Sequence, residues 1–419
     1  MRPWAPVAVL MALAGGLSPA RLTAQPHDLI DVAKMRPTGL LVDSYSYMSP
    51  PHNAYYFHHI DQLGFRIDRV ARAGPITSLH AATRPIPTFG IRAPGEARGI
   101  DLEEYYTRNQ VTGFLVLRGD TVMVERYFHG ADRRSRFVSQ SVGKSIVSIL
   151  VGVAVESKKI ASVDDLVVKY LPELAASGYR SATVKNLLQM ATGVDYSEDY
   201  RDSTSGAARI GQALITGRPS FAEFAASMKP TATPPGTKFE YQSVNTQVLG
   251  MLLERVTGQP LSRWAERVLW SKVGAESDAF FYEAKRQPQT CAFACFNATL
   301  RDYGRVGLLM LGGGAIGGRR VVSEEWVHRS TTADADYLKP GTAPDGRPRI
   351  GYGYQWWLAG GPEGAFLAIG IYGQAIYVNP AKRLVVVQTS AWPTPIGDET
   401  LGGERMAMFA AIARELGRP

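Results

Sequence analysis

Strand-like runs lie at both ends of this chain and helical patterns fill its middle, and that order limits the folds open to it. Two β-rich runs, Val111 to Leu117 and Thr121 to Phe128, flank Arg118-Gly119-Asp120, the signature of a hairpin. Ser141 to Val155 then carries apolar residues at 142, 146, 149, 150 and 153, the spacing of a buried helix. Between about 160 and 300 the patterns are helical and broken by turns. Val244 to Val256 is an amphipathic helix closed by Gly258 and Pro260. Arg301 to Leu311 is helical and stops at Gly312. Short β-rich runs return at 351–359, 365–371, 374–380 and 383–391, before a closing helix over Glu399 to Leu416.

The simplest assembly is α/β plus all-α: one antiparallel sheet built from both chain ends, flanked by helices, with a helical domain inserted. The α/β domain is discontinuous, over 25–165 and 300–419, and the helical domain covers 166–299. Residues 25–100 are rich in Pro, His, Arg and aromatics without a clean period. They are expected to form an extended lead segment packed on the main body. A length of 419 residues allows two to three domains at ~150 residues each. With 45% hydrophobic and 20% charged residues, disorder is excluded as the main state.

The first 24 residues read as a secretory signal peptide. Arg2 gives a positive start, Val7 to Leu17 an apolar stretch, and Leu22-Thr23-Ala24 a small residue for cleavage. The apolar stretch is shorter than the ~20 residues a membrane span needs, and no other segment reaches that length. The mature protein is therefore expected outside the cytoplasm, secreted or periplasmic, with no membrane span. The net charge of +8 falls to +6 without those residues. No basic run exceeds a pair beyond the short arginine cluster at 133–136, so no nucleic-acid partner is expected. Two cysteines exclude a disulfide scaffold and an all-cysteine zinc site, and neither metal nor cofactor is expected.

Ser141-Val-Gly-Lys144 is the most informative stretch. The chain has twelve lysines, and only Lys144 has a serine three residues before it. On a helix these positions share a face. Ser141 at the helix start sits where free N–H groups favour developing negative charge. A partly buried Lys144 loses solvation, its pKa falls, and it can relay a proton. This is an acyl-enzyme arrangement. The bland reading is an N-cap serine and a surface lysine; the apolar hairpin-to-helix junction favours catalysis. A P-loop ending in Gly143-Lys144-Ser145 would need glycine at 138, which is Val138. A nucleophile elbow through Ser139, Ser141 and Gly143 would need a histidine downstream. After His129 there is only His328, which looks like a polar-face helix residue, so a Ser-His-Asp triad is excluded as the reading.

Something else must therefore activate Ser141. Lys144 alone can serve, or a tyrosine whose pKa a nearby cation lowers to a phenolate. Tyr241 stands out because Pro235, Gly236 and Phe239 precede it and an amphipathic helix follows.

These features together resemble the serine β-lactamase and penicillin-binding-protein superfamily, in its class C and esterase-like branch. Ser141-Val-Gly-Lys144, the run from Pro235 to Tyr241-Gln-Ser243, and the late glycine strand from Ala368 to Gln374 carry the resemblance. Leu187 to Gly193 is similar to the family's leucine-rich stretch. Within the superfamily the chain comes nearest to the nylon-oligomer (aminohexanoate-dimer) hydrolases, through Gly193-Val-Asp-Tyr196-Ser-Glu-Asp-Tyr200 and the segment ending at Pro380. The resemblance covers roughly 100–419. It implies a β-lactamase/transpeptidase-like fold with the active site between two domains. It implies Ser141 as nucleophile, Lys144 as its proton partner and Tyr241 as general base or acid. The oxyanion hole would be the N–H of Ser141 with that of Ile371 or Gln374. Tyr200, or Tyr196, would contact the leaving group.

Two departures bear on the substrate. The family's Lys-Thr-Gly is replaced by Ala368-Ile369-Gly370, and Ser243 stands where class C enzymes carry Asn. Both argue against recognition of a β-lactam or peptidoglycan carboxylate and suit a plain small-molecule amide or ester. The alternatives are a D-amino-acid peptidase, a β-lactamase-like enzyme, or a non-catalytic penicillin-recognising domain. His52, His58 and His59 have no accompanying Cys or acid pattern and read as packing or surface groups. Cys291 and Cys295 are four apart and fit a small disulfide loop or two buried thiols equally well.

Overall fold

A computed structural model of the protein describes residues 45–83, 90–92, 98–284, 289–342, 348–397 and 399–416. The expected signal peptide, 1–24, lies outside the described residues. The lead segment contains strand β1 (Arg66–Val70), and the predicted hairpin follows as β2 (Val111–Arg118) and β3 (Thr121–Tyr127). Gly119 in its turn takes φ +57°, which a side chain would disfavour. Strand β4 (Phe137–Val138) runs into helix α1 (Val142–Glu156). The middle holds helices α2 (Gly206–Thr216) and α3 (Ser243–Thr257), then strands β5 (Ala279–Glu283) and β6 (Phe296–Ala298). Helix α4 (Leu300–Leu311) is capped by Thr299, whose side chain accepts from Asp302 N. After two short two-stranded ribbons come β7 (Gly351–Tyr352), β8 (Trp357–Leu358), β9 (Phe366–Ile369), β10 (Ala375–Asn379) and β11 (Leu384–Ser390). Helix α5 (Glu399–Leu416) closes the chain.

Both chain ends meet in one eight-stranded sheet, ordered β7-β8-β9-β10-β11-β2-β3 with the short strand His80–Ala81 at the far edge. Its pairs are antiparallel except that edge strand, which runs parallel to β3. The seam joins β11 to β2, with Val385 opposite Leu117 and Val387 opposite Leu115. Alternate residues of a strand face opposite sides. Leu115, Leu117, Val385 and Val387 share a core with α1 and α4. Phe114, Val116 and Val386 share the other with Met408, Phe409 and Ile412 of α5. Helices on both faces explain why β2 and β11 read as continuous apolar runs. Every residue from Val142 to Ala154 of α1 is buried, as a helix at the centre of a core requires.

The middle is not purely helical. Strands β5 and β6, inside the stretch expected to be a helical domain, join β1 and β4 in a second sheet, ordered β1-β5-β6-β4. All five residues of β5 are buried, and so short an apolar run has no period that separates strand from helix. The described part of the lead segment packs on the body as expected. Tyr47, Tyr56, Phe57, Ile60 and Leu63 enter the main core. Asn53 Nδ2 donates to Trp392 O at 3.0 Å, and Val138 N donates to Phe57 O at 2.8 Å.

Candidate active site

Ser141 occupies the N-cap of α1, yet its hydroxyl caps nothing. Instead it accepts from Nζ of Lys144, one turn along the same face, at 2.7 Å. Lys144 is only 1% exposed, so the surface-lysine reading fails. Its other partner is Phe293 O at 2.9 Å. Burial pushes the Lys144 pKa down to about 8, against the opposing negative charge of Glu198. Phe293 belongs to the loop closed by a Cys291–Cys295 disulfide, one of the two states the spacing allowed.

Tyr241 lies just before α3, with its hydroxyl directed at Ser141. Its ring centre is 5.2 Å from Lys144 Nζ, and the ring stacks on Trp357 at 5.3 Å. The environment differs from the expected cation-stabilised phenolate. Burial, and then the charge of Glu198, raise the Tyr241 pKa well above that of an ordinary phenol. The group is a protonated phenol, because a buried anion beside a carboxylate costs more than the lysine returns.

Glu198 escaped the sequence reading. Its Oε1 accepts from Ser243 Oγ and from Tyr200 OH, each at 2.6 Å, and its Oε2 accepts from Ser243 N at 2.8 Å. Ser243 and Tyr200 line the same cavity as Ser141, tied together by this one carboxylate. Tyr196 lines it too and is buried. Glu198 lies in the quoted run between Tyr196 and Tyr200, but a single acid on a loop has no spacing to mark it.

The expected late glycine strand ends at Ile369, and the turn Ile371–Gly373 between β9 and β10 supplies the opposite wall. Ile371 lines the cavity with Ser141. Gln374, the alternative donor, is not among the lining residues. Its Nε2 donates to Tyr372 O at 3.1 Å and Ser390 O at 2.7 Å, and its own carbonyl accepts from Gly370 N at 2.9 Å. It braces the strand end from behind. Gly370 permits the close approach. A Cβ there would lie 2.8 Å from Ser139 O and 3.0 Å from both Gln140 Cβ and Gln374 Cβ. Gln140 and Tyr372, the neighbours of Ser141 and Ile371, both sit in the left-handed region, at φ +45° and +59°. Such backbone costs about 1–3 kcal/mol and collects at functional sites. The cavity encloses about 550 Å³, and Tyr47 and Met48 of the lead segment form part of its wall, a role the sequence did not announce.

A family model described as Beta-lactamase matches residues 103–411. The chain belongs to the beta-lactamase family. A 6-aminohexanoate-dimer hydrolase of Paenarthrobacter ureafaciens is 32% identical over 362 residues, covering 84% of this chain and 88% of that one. A Bacillus anthracis structure, provisionally assigned as a 6-aminohexanoate-dimer hydrolase, superposes with TM-score 0.80 at 23% identity, over 91% of this chain and 98% of that one. A family VIII carboxylesterase shares the fold at TM-score 0.56 and 19% identity, over 78% of this chain and all of that one.

Proposed function

We propose that the protein is a serine hydrolase that cleaves a small amide or ester through an acyl-enzyme on Ser141. The observation that carries this reading is the 2.7 Å contact between Ser141 Oγ and a buried Lys144 whose pKa is pushed down to about 8. Near that pH about half of the lysine is neutral amine. Neutral Lys144 takes the hydroxyl proton as Oγ bonds the carbonyl carbon. The N–H groups of Ser141 and Ile371 hold the oxyanion, and each such donor is worth ~3 kcal/mol in the transition state. The Tyr241 phenol gives its proton to the leaving nitrogen or oxygen as that bond breaks, and the Lys144 ammonium restores it. Water then attacks the acyl carbon, its proton passing to Lys144 and on to Ser141 as the acid departs.

The neutral strand Ala368-Ile369-Gly370 supports an amide or ester over a β-lactam or a D-amino-acid peptide. Relatives named for aminohexanoate-dimer and carboxylester hydrolysis point the same way. Export is part of the proposal. It is supported by the pattern of residues 1–24 and by the Cys291–Cys295 disulfide, a bond that persists in oxidising compartments. The test is turnover of p-nitrophenyl butyrate and a linear anilide by the wild type and by Ser141→Ala. Turnover abolished in the folded variant is expected; undiminished turnover overturns the assignment.

A further inference from the structure

Three separate stretches contribute apolar groups to the wall of the cavity beyond Ser141. Tyr47 and Met48 come from the lead segment, Ile210 and Leu214 from α2, and Phe293 and Ala294 from the disulfide loop. The lead segment lies outside the 103–411 stretch that the family model matches, so this wall is an addition to the shared core. It is held in place by the Asn53–Trp392 and Val138–Phe57 hydrogen bonds.

Among the lining residues only Glu198 and Arg209 carry an Asp, Glu, Lys or Arg side chain. Both are already engaged. Glu198 takes hydrogen bonds on both oxygens from Ser243 and Tyr200. Arg209 is exposed, and its guanidinium lies over the Phe224 ring, 5.2 Å from the centroid. The remaining polar groups are neutral hydroxyls and amides. A charged chain end placed between Met48, Leu214 and Phe293 would lose its hydration, and the one carboxylate in the lining has both oxygens already hydrogen-bonded. An aliphatic chain there would gain about fourfold in affinity for each methylene buried.

We propose that this cavity binds an uncharged, apolar chain of the substrate, and that Met48 helps to set that specificity. The proposal rests on the Ser141 reading above. The substrate class is then a neutral aliphatic ester or amide, not a chain that ends in an ammonium or carboxylate beside the cleaved bond.

Two phosphonofluoridate probes test it, one with a hexyl and one with a 6-aminohexyl chain on phosphorus. In each, Ser141 Oγ bonds phosphorus, the P–F bond breaks, fluoride leaves with the electron pair, and Lys144 takes the hydroxyl proton. The expected result is labelling at Ser141 with the hexyl probe at least tenfold faster. Equal rates, or a faster aminohexyl probe, overturn the proposal and leave the Ser141 reading standing. No labelling by either probe overturns both. Met48→Glu should place a carboxylate on the wall and narrow the rate ratio at least fivefold; an unchanged ratio removes Met48 from the proposal.

Discussion

Glu198 and Ser243 are joined twice: the hydroxyl of Ser243 donates to Oε1 at 2.6 Å and its backbone N–H donates to Oε2 at 2.8 Å. This carboxylate therefore faces the start of α3, while its charge is felt by Lys144 and by Tyr241. It pulls the two proton carriers the same way. A negative charge favours the ammonium of Lys144 and disfavours the phenolate of Tyr241.

The first prediction follows from that field. kcat/KM for a neutral ester should rise tenfold per pH unit below about 8 and level above it, as Lys144 loses its proton. Glu198→Gln removes a charge that raises the Lys144 pKa, so the midpoint should move to lower pH. A pH–rate series on both proteins checks this, and a midpoint that moves up contradicts it.

Tyr241→Phe should separate amides from esters. A phenol that donates to the leaving group matters most when that group is a poor one. General acid catalysis is worth about 10²–10⁴ in rate. Anilide turnover should fall by roughly that factor in kcat with KM nearly unchanged, and p-nitrophenyl ester turnover should fall far less. Equal losses on both substrates would place Tyr241 in binding or in positioning of Ser141.

Gly370→Ala should damage the chemistry while sparing the fold. The new methyl meets Ser139 O at 2.8 Å, so the strand end must shift away from the segment carrying Ser141. Losing one well-aimed oxyanion donor costs about 2.7–4 kcal/mol. A kcat loss of about 10²-fold or more is expected, with the thermal midpoint moved by only a few degrees. Full activity in a folded variant would move the second donor away from Ile371.

His58 governs acid stability. It lies in a turn, 4.4 Å centre to centre from the His59 ring, and neither of its nitrogens has a hydrogen-bond partner among the described residues. Burial, then the neighbouring His59 and His129, push its pKa down to about 3, with Asp132 opposing. Unfolded, the same ring takes a proton near 6.5. Between those values the unfolded chain binds more protons, so stability falls as pH drops below about 6.5, by at most ~1.4 kcal/mol per unit. His58→Phe should flatten this slope in urea titrations at pH 7 and pH 5. An unchanged slope would assign the acid sensitivity elsewhere.

Much of this architecture was legible in the residues. The hairpin around Gly119 and the helices that begin beside Ser141 and Ser243 follow from local period and turn chemistry, and one sheet built from both chain ends follows from the order of the elements. The Ser141–Lys144 pair was legible because helical spacing fixes its distance. What stayed hidden depends on contacts between distant segments. β5 is too short and too apolar to declare itself. Glu198 gains its meaning only when its loop meets the start of α3. The Tyr241 pKa turns on burial and on that same carboxylate. Ile371 and Gln374 both lie in the turn between β9 and β10, and sequence spacing does not separate them.

The central claim is that the acyl group passes through Ser141, and intermediate trapping tests it most directly. The enzyme would be mixed with excess p-nitrophenyl hexanoate, quenched in acid within the first turnovers, digested and mapped by mass. The account predicts a hexanoyl adduct on the peptide containing Ser141, absent when turnover is complete and absent from Ser141→Ala. An adduct on another residue, or steady turnover in Ser141→Ala, would contradict it.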